Sequence, residues 1–247
     1  MDESSRAVLA DYRESHNSPN YGQKYSEAYK SGYYAAQWRD LEIPILTSLF
    51  TRSALDTRSC LDFACGTGRI ATLASKYFDR VVAVDIAAPM IEQVPKIDNV
   101  SCILRDITLE KLSEHFDVIT AFRFFLNAQE SLRIEAIRAM HSHLKPGGIL
   151  ICNNHMNSSS PMGIAYQLLS SAGLGNQKTL STRHLSDLLE GGRFSVSRII
   201  PYSFLPRPGP LLSKVTERLV LPVEKCSKFL KVPGSLAQAA LLICRRN

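Results

Sequence analysis

The chain has 247 residues, of which 45% are hydrophobic and 21% charged, and a formal net charge of +6. These values are typical of one large globular domain and exclude a disordered chain, and the basic residues are too dispersed to favour a nucleic-acid partner. The sequence holds no apolar run long enough for a membrane-spanning helix and no secretory signal at its N-terminus, so we expect a cytoplasmic protein. Its six cysteines form no CxxC pair, which predicts reduced thiols and no metal site.

Residues 1–57 are rich in tyrosine and are interpreted as an N-terminal helical cap segment. Tyr21, Tyr25, Tyr29 and Tyr33 are spaced four residues apart, which predicts that they share one face of a single helix. That face either packs on the core, which we favour, or forms an aromatic lid over a bound ligand.

From residue 58 onward, short β-rich runs alternate with helical patterns, which predicts an α/β fold with a mostly parallel sheet. Seven strands are predicted, the last returning antiparallel beside the sixth, at residues 59–63, 80–85, 100–104, 116–121, 148–152, 194–202 and 237–244. The predicted helices span residues 69–77, 130–143, 162–172 and 184–190. Residues 58–206 are therefore expected to form the core, completed by a final strand within residues 234–247.

Residues 207–233 form an amphipathic insert between the last two predicted strands. One side of a helical projection carries Leu211, Leu212, Val215, Leu219 and Val220. After Pro222, which is expected to break this helix, a second apolar face carries Cys226, Phe229 and Leu230. Both faces are too small for a separate domain, so we expect them to cover the ligand pocket, which we favour, to contact a second subunit in a homodimer, or to bind a membrane surface peripherally.

The most informative run is LDFACGTG, residues 61–68. A buried strand leads through a small-residue turn into a helix, and Gly66 and Gly68 permit backbone angles and a ligand approach that a Cβ atom would block. A ligand at this turn lies at the carboxyl end of the strand, where open α/β sheets form their crevice. Alone, the run fits any nucleotide site.

Four further runs come after it in a fixed order. VVAVDIA (81–87) is an apolar strand closed by Asp85, at the distance where such folds place the acid that binds ribose hydroxyls. LRDI (104–107) places Asp106 at the end of the third strand, where it is able to accept a hydrogen bond from an adenine amine. FDVIT (116–120) is the fourth strand, and LKPGGIL (144–150) leads into the fifth.

As a set, these runs closely resemble the class I S-adenosylmethionine-dependent methyltransferases, tightly over residues 58–152. The resemblance implies a Rossmann-like fold, with S-adenosyl-L-methionine as the cofactor. It implies contacts to the methionine part from Asp62, Gly66 and Gly68. It further implies contacts to the ribose and adenine from Asp85, Ile86, Asp106 and Ile107. Phe122 or Arg123, just past the fourth strand, would line the methyl-transfer side, and Ala64 stands where many members have glycine.

The methyl acceptor is restricted mainly by the residues that come directly after the fourth strand. Residues 121–124 read AFRF, not the Asn/Asp-Pro-Pro-aromatic turn typical of methylation at exocyclic amines of nucleic acids, so we expect a small or lipid-like acceptor methylated on oxygen or nitrogen. His155, just past the fifth strand, is the candidate general base for a hydroxyl, and a purely structural histidine is the alternative.

Two other functions stay open at this point. An NAD-dependent Rossmann oxidoreductase would use Gly66 and Asp85, but its motif requires a third glycine near Ala71 or Thr72, which the sequence lacks. A catalytically silent, methyltransferase-like scaffold protein is disfavoured by the intact set of acidic residues and glycines.

Overall fold

The computed structural model describes residues 12–15, 18, 20–51, 58–207 and 212–247. Its strands are β1 (Ser59–Phe63), β2 (Arg80–Asp85), β3 (Val100–Leu104), β4 (Phe116–Ala121), β5 (Leu144–Asn154), β6 (Phe194–Tyr202) and β7 (Ala239–Arg246). They form one sheet in the order β3-β2-β1-β4-β5-β7-β6. Strands β1 to β5 pair in parallel, and β7 pairs antiparallel with both β5 and β6. The predicted Rossmann-like α/β fold, with seven strands and an antiparallel last strand, is confirmed.

Helices lie on both faces of this sheet. They are α1 (Tyr21–Glu27), α2 (Tyr33–Ala36), α3 (Ile43–Phe50), α4 (Arg69–Ala74), α5 (Ala88–Ile91), α6 (Glu130–His143), α7 (Pro161–Ser171), α8 (Thr182–Gly191), α9 (Ser213–Glu217) and α10 (Val220–Phe229). Six residues of π-helix, Gln37–Glu42, join α2 to α3.

The two faces of the sheet are covered because side chains alternate along each strand. Leu61 and Val82 point into one buried apolar cluster, whereas their neighbours Cys60 and Val81 point into the other. All six residues of β4 are buried, as expected for a central strand of a parallel sheet with helices on both sides. The two apolar clusters, one on each face, hold the sheet in place, and with it the edge where the carboxyl ends of the parallel strands meet.

Strand β5 begins earlier than predicted. It starts at Leu144, directly after α6, so the turn expected at residues 145–148 is instead part of a longer strand. Its pairing with β4 shifts register between Phe116 and Val118, and Gly147 has a φ of +72°. A glycine and a bulge therefore accommodate a Lys-Pro-Gly-Gly sequence that normally signals a turn.

The prediction of one tyrosine-bearing helix at the N-terminus is wrong. Helix α1 ends at Glu27, and a new helix begins at Tyr33 after Gly32, which has a φ of +81°. Tyr33 is buried in the core and its hydroxyl lies 2.8 Å from Ser203 Oγ. The break separates Tyr33 from Tyr29, because a left-handed residue cannot continue a right-handed helix.

The insert packs on the N-terminal helices. Gly32 N donates to Glu217 Oε2 at 2.8 Å, and Tyr33 N donates to Ser213 Oγ at 3.1 Å. The predicted break at Pro222 is wrong, since α10 begins two residues earlier at Val220. Pro222 then lies in its first turn, where a missing N–H costs little.

Most of the apolar residues predicted to be covered in this insert are exposed. Val220 is buried, whereas five other apolar side chains of the insert are exposed: Leu212, Val215, Leu219, Phe229 and Leu230. Leu211 lies outside the described residues. Of the described residues of the insert, only Arg207 lines the main cavity, so α9 and α10 do not cover the pocket as favoured above. Within the described part of the chain, no helix is long and apolar enough to cross a membrane.

Candidate active site

A cavity of about 550 Å³ opens at the carboxyl ends of β1, β2 and β4, a size suited to a small-molecule ligand. Nine of the ten residues predicted from the sequence line it: Asp62, Gly66, Asp85, Ile86, Asp106, Ile107, Phe122, Arg123 and His155. Gly68 does not line it. The sheet therefore brings together in one cavity residues that are up to 93 positions apart in the chain.

The glycine turn is held together by Asp85. Its Oδ2 accepts a hydrogen bond from Gly66 N at 2.7 Å, and its Oδ1 accepts one from Ala87 N at 2.9 Å. Ala64 has a φ of +52°, in the left-handed region that explains why glycine is common at this position. Asp85 thus ties the ends of β1 and β2 together while lining the cavity.

The two glycines of the turn differ in what surrounds them. Gly66 and Gly68 both have positive φ, at +56° and +76°. A Cβ atom on Gly68 would lie 2.6 Å from Val94 Cγ1, whereas one on Gly66 would lie 3.2 Å from the flexible end of Met90. Gly68 is needed for packing of the turn, and Gly66 leaves its backbone open to the cavity.

Asp62 lies at the base of the cavity and is 1% exposed. Its Oδ2 accepts from Ala71 N at 3.0 Å, and its Oδ1 accepts from Thr120 Oγ1 at 2.8 Å. Burial raises the pKa of this carboxyl to about 7, although both hydrogen bonds act to lower it. A cationic ligand group next to Asp62 would therefore favour its ionised form.

Asp106 is engaged by an arginine that the sequence did not reveal. Arg13 Nε donates to Asp106 Oδ2 at 2.6 Å, and Thr108 donates to Oδ1 through both its N–H and its hydroxyl. Burial alone would raise the pKa of Asp106, but the hydrogen bonds from Thr108 and Arg13 lower it. Arg13 also donates to Glu135 Oε2 at 2.7 Å, so it joins the N-terminal segment to this edge of the sheet.

Three arginines and two tyrosines form one wall of the cavity. The guanidinium carbon of Arg69 lies 3.7 Å from the ring centre of Tyr29, and that of Arg123 lies 5.5 Å from the same ring. The guanidinium carbons of Arg123 and Arg207 lie 5.6 Å and 5.1 Å from the ring centre of Tyr34. We call Arg69, Arg123 and Arg207 the arginine cluster. Of the four evenly spaced tyrosines, Tyr21, Tyr25 and Tyr29 line the cavity together with Tyr34, whereas Tyr33 packs in the core. An aromatic lid over a ligand stays a prediction.

Glu42 supplies a buried carboxylate to this cluster. Its Oε1 accepts from Tyr202 Oη at 2.9 Å and from Arg123 Nη2 at 3.4 Å, and its Oε2 lies 3.8 Å from Arg69 Nη1. Arg123 has a φ of +59°, and its N–H donates to Asn153 Oδ1 at 2.7 Å, which fixes its backbone at the end of β4. Glu42 lies in the π-helical segment, where no sequence signal marks it as a site residue.

His155 lies just after β5 and faces the same wall. It is 8% exposed, and its Nδ1 has no hydrogen-bond partner among the described residues. Burial, and then the charges of Arg123, Arg207 and Arg69, lower the pKa of His155 well below its usual value. The imidazole is therefore neutral at neutral pH, with one ring nitrogen left to interact with a ligand.

Comparison with known proteins agrees with this geometry. Residues 60–148 match a family described as a methyltransferase domain. The chain is 36% identical over 102 residues, or 38% of its length, to a cypemycin N-terminal methyltransferase from Streptomyces sp, and that match spans only 40% of the relative's length. The match to the family thus extends from β1 to the beginning of β5.

Solved structures share the whole fold. A possible histamine N-methyltransferase from Thermotoga maritima matches with a TM-score of 0.62 at 15% identity, over 91% of this chain and 95% of that one. The N-methyltransferase NodS from Bradyrhizobium japonicum, in complex with S-adenosyl-L-homocysteine, matches with a TM-score of 0.58 at 12% identity, over 91% and 97%. At these identities the likeness concerns the fold alone.

Proposed function

Because residues 60–148 match a methyltransferase domain and the fold is that of the class I S-adenosylmethionine-dependent methyltransferases, we propose that this protein binds S-adenosylmethionine and transfers its methyl group to an oxygen or nitrogen of a small or lipid-like acceptor. One observation carries the proposal. With the exception of Gly68, the residues expected to hold the cofactor line a single cavity at the carboxyl ends of the strands, where this fold binds its ligands.

Each part of the cofactor has a candidate partner in the cavity. The carboxylate of Asp85 would accept the ribose hydroxyls, and the open backbone at Gly66 would contact the methionine part. Asp62 would meet the ammonium, which favours the ionised form of this buried carboxyl. Ile86 and Ile107 would contact the adenine, while Asp106 would accept from the adenine amine and so would share its oxygens with Arg13.

The transfer itself requires alignment more than acid–base chemistry. The sulfonium of the cofactor makes its methyl group electrophilic, so the protein has to hold an acceptor atom in line with it and exclude water. Phe122 and Arg123 line the side on which the acceptor would enter. For a hydroxyl acceptor, His155 would take the proton at Nδ1, since the ring is neutral and this atom has no partner in the described ranges.

Asp62 also argues against a dinucleotide in this cavity. In NAD-binding folds, a pyrophosphate lies over the N-terminus of the first helix and accepts from its backbone N–H groups. Here Ala71 N, in the first turn of α4, already donates to the Asp62 carboxyl. An anionic pyrophosphate beside this carboxyl would be repelled, whereas a cationic ammonium would be attracted.

Calorimetric titration tests the cofactor, and labelled turnover tests the reaction. We expect S-adenosylhomocysteine to bind and NADH not to bind. With methyl-labelled cofactor and cell extract, His155→Gln should lower kcat on a hydroxyl acceptor by about 10²-fold or more while leaving affinity for S-adenosylhomocysteine unchanged. Binding of NADH alone would refute the proposal, and unchanged kcat would assign His155 a structural role.

We further propose a peripheral membrane contact through residues 207–233. The exposed apolar side chains of α9, α10 and their flanks are accompanied by basic residues at Lys214, Arg218, Lys225, Lys228 and Lys231. Each basic residue near an anionic surface contributes about 1 kcal/mol. Replacing Leu212, Val215 and Leu219 with serine should abolish co-sedimentation with phosphatidylglycerol vesicles. If the wild type instead sediments as a dimer and ignores vesicles, this surface is a subunit contact.

A further inference from the structure

We propose that the arginine cluster is the acceptor subsite of this cavity and that it selects an acceptor carrying an anionic group, a carboxylate or a phosphate. This inference rests on the proposed methyl transfer and names the substrate class. The three guanidinium groups are linked through two shared rings, Tyr29 and Tyr34, so they face one region of the cavity.

Charge is unbalanced in this region. Among the described residues, Glu42 is the carboxylate that forms salt bridges with this cluster, at 3.4 Å to Arg123 and 3.8 Å to Arg69, and none pairs with Arg207. The charge of Arg69 also acts on the carboxyl of Asp62, which the cofactor's ammonium would pair with. The methionine carboxylate of the cofactor would neutralise one further positive charge. At least one guanidinium would still lack an anionic partner, in a cavity that also has to hold the cofactor's sulfonium. The guanidinium left over is that of Arg207, whose side chain is partly buried and whose Nε is fully buried, so an anionic group on the acceptor would be stabilised next to it.

Hydrogen-bond donors are also left over. Arg69 Nη1, Arg123 Nε and Arg207 Nε are buried and have no hydrogen-bond partner within the described ranges. Guanidinium N–H groups donate short, charge-assisted hydrogen bonds to carboxylates and phosphates. The three unpartnered N–H donors are therefore suited to a carboxylate or a phosphate.

The titration of two neighbours agrees with a positive potential at this wall. The pKa of His155 is lowered by burial and by all three arginines. Burial alone would raise the pKa of Tyr25, but the charges of Arg69 and Arg123 reverse this and lower it. A cationic amine would enter against the same potential, and the tyrosine faces that would receive it are already occupied by guanidinium groups.

Arg207 distinguishes the acceptor from the cofactor. Arg69 lies directly after the glycine turn and Arg123 at the end of β4, so both lie near the methionine part of the proposed cofactor. Arg207 comes five residues after the edge strand β6, and its guanidinium carbon lies 5.1 Å from the ring centre of Tyr34. Removing this charge should therefore affect the acceptor anion and spare the cofactor.

The experiment uses the full chain and calorimetry in two steps. First, S-adenosylhomocysteine and methylthioadenosine, which lacks the amino acid part, are titrated into wild type, Arg207→Gln and the control Arg198→Gln. Arg198 is an exposed residue of β6 that does not line the cavity. Then benzoate, inorganic phosphate and benzylamine are titrated into each protein saturated with S-adenosylhomocysteine.

We expect benzoate or phosphate, but not benzylamine, to bind the saturated wild type, and Arg207→Gln to weaken that binding at least tenfold. The affinity of Arg207→Gln for S-adenosylhomocysteine should stay within twofold of the wild type, and Arg198→Gln should change neither affinity. Binding of benzylamine alone, of neither anion, or of an anion equally in Arg207→Gln overturns the inference. So does an Arg207→Gln variant that loses S-adenosylhomocysteine but keeps methylthioadenosine, since the anion is then the cofactor's own carboxylate. Failure of S-adenosylhomocysteine to bind the wild type refutes the proposed function itself.

Discussion

Replacing Asp85 with alanine separates the two roles that the structure gives this carboxylate. In the absence of ligand, it accepts hydrogen bonds from Gly66 N and Ala87 N. When the cofactor binds, we expect it to accept two ribose hydroxyls as well. The variant should therefore lose both stability and affinity, and the two losses have different sizes.

The loss of affinity results from the charge on Asp85. Hydrogen bonds to an ionised group contribute about 1.5–3 kcal/mol each, so two ribose hydroxyls contribute about 3–6 kcal/mol, or about two to four decades in Kd. The two backbone donors become accessible to water in the variant, so we expect them to cost only about 2 kcal/mol in total. For a chain of this length, that loss lowers Tm by about 4–8 °C.

Calorimetry with S-adenosylhomocysteine and thermal unfolding measure these two quantities on the same preparation. Asp98→Ala removes an exposed acid outside the cavity and should change neither. The 2′-deoxy analogue of S-adenosylhomocysteine should show a smaller difference between wild type and Asp85→Ala, because one hydroxyl is absent from both complexes. If Asp85→Ala lowers Tm but keeps its affinity within threefold, the carboxylate serves only the turn, and its assignment to the ribose is refuted.

Four further substitutions test the same cavity and the turn beside it. Gly66→Ala should weaken binding of S-adenosylhomocysteine with a stability cost of about 1 kcal/mol, while Gly68→Ala should lower Tm more because of the clash with Val94; equal Tm values would contradict this difference. The pKa of Asp62 is about 7 in the folded protein and lower in the unfolded chain, so Asp62 takes up a proton on folding between about pH 4 and pH 7. Its contribution to the free energy of unfolding is therefore complete below about pH 4 and is lost as the pH rises to about 7. In Asp62→Asn, the amide oxygen is able to accept from Ala71 N, and the amide NH2 is able to donate to Thr120 Oγ1, whose hydroxyl then donates to Leu61 O. The variant should therefore raise the free energy of unfolding at pH 8 by up to about 4 kcal/mol, measured by urea titration, and a lower value at pH 8 would refute the pKa assignment. Arg13→Ala frees Asp106 Oδ2 and should tighten binding of adenosine-containing ligands if the two compete for this oxygen, whereas weaker binding would show that Arg13 helps to form the site.

The parts of this protein that were predicted correctly from its sequence are those governed by local patterning. Strands β1 to β4 and β6 and helix α6 were predicted with their observed bounds, because an apolar run or an apolar stripe reports directly which side of an element is buried. Nine of the ten candidate site residues also line one cavity, because the carboxyl ends of parallel strands meet at one edge of the sheet, and their roles stay predictions.

Two segments carried a helical pattern, but contacts with distant parts of the chain gave them a different structure. Tyrosines at four-residue spacing suggested one helix, but the left-handed backbone of Gly32 divides it, and the close approach of Ser213, from a segment about 180 positions away, favours glycine there. The apolar faces of α9 and α10 were likewise expected to be buried, but most of their apolar side chains are exposed.

The sequence by itself determined the fold class, the order of the strands' motifs and the glycine-and-acid set of the proposed cofactor site. Only the tertiary structure decided which charges share the cavity. Arg13, Glu42 and Arg207 carry no local signal, because a charged residue at the surface and one in a cavity look alike in sequence. Glu42 contacts Arg123, which is 81 positions away along the chain, and Arg13 contacts Asp106, which is 93 positions away. Electrostatic interactions depend on distance in space and on burial, and folding alone sets both.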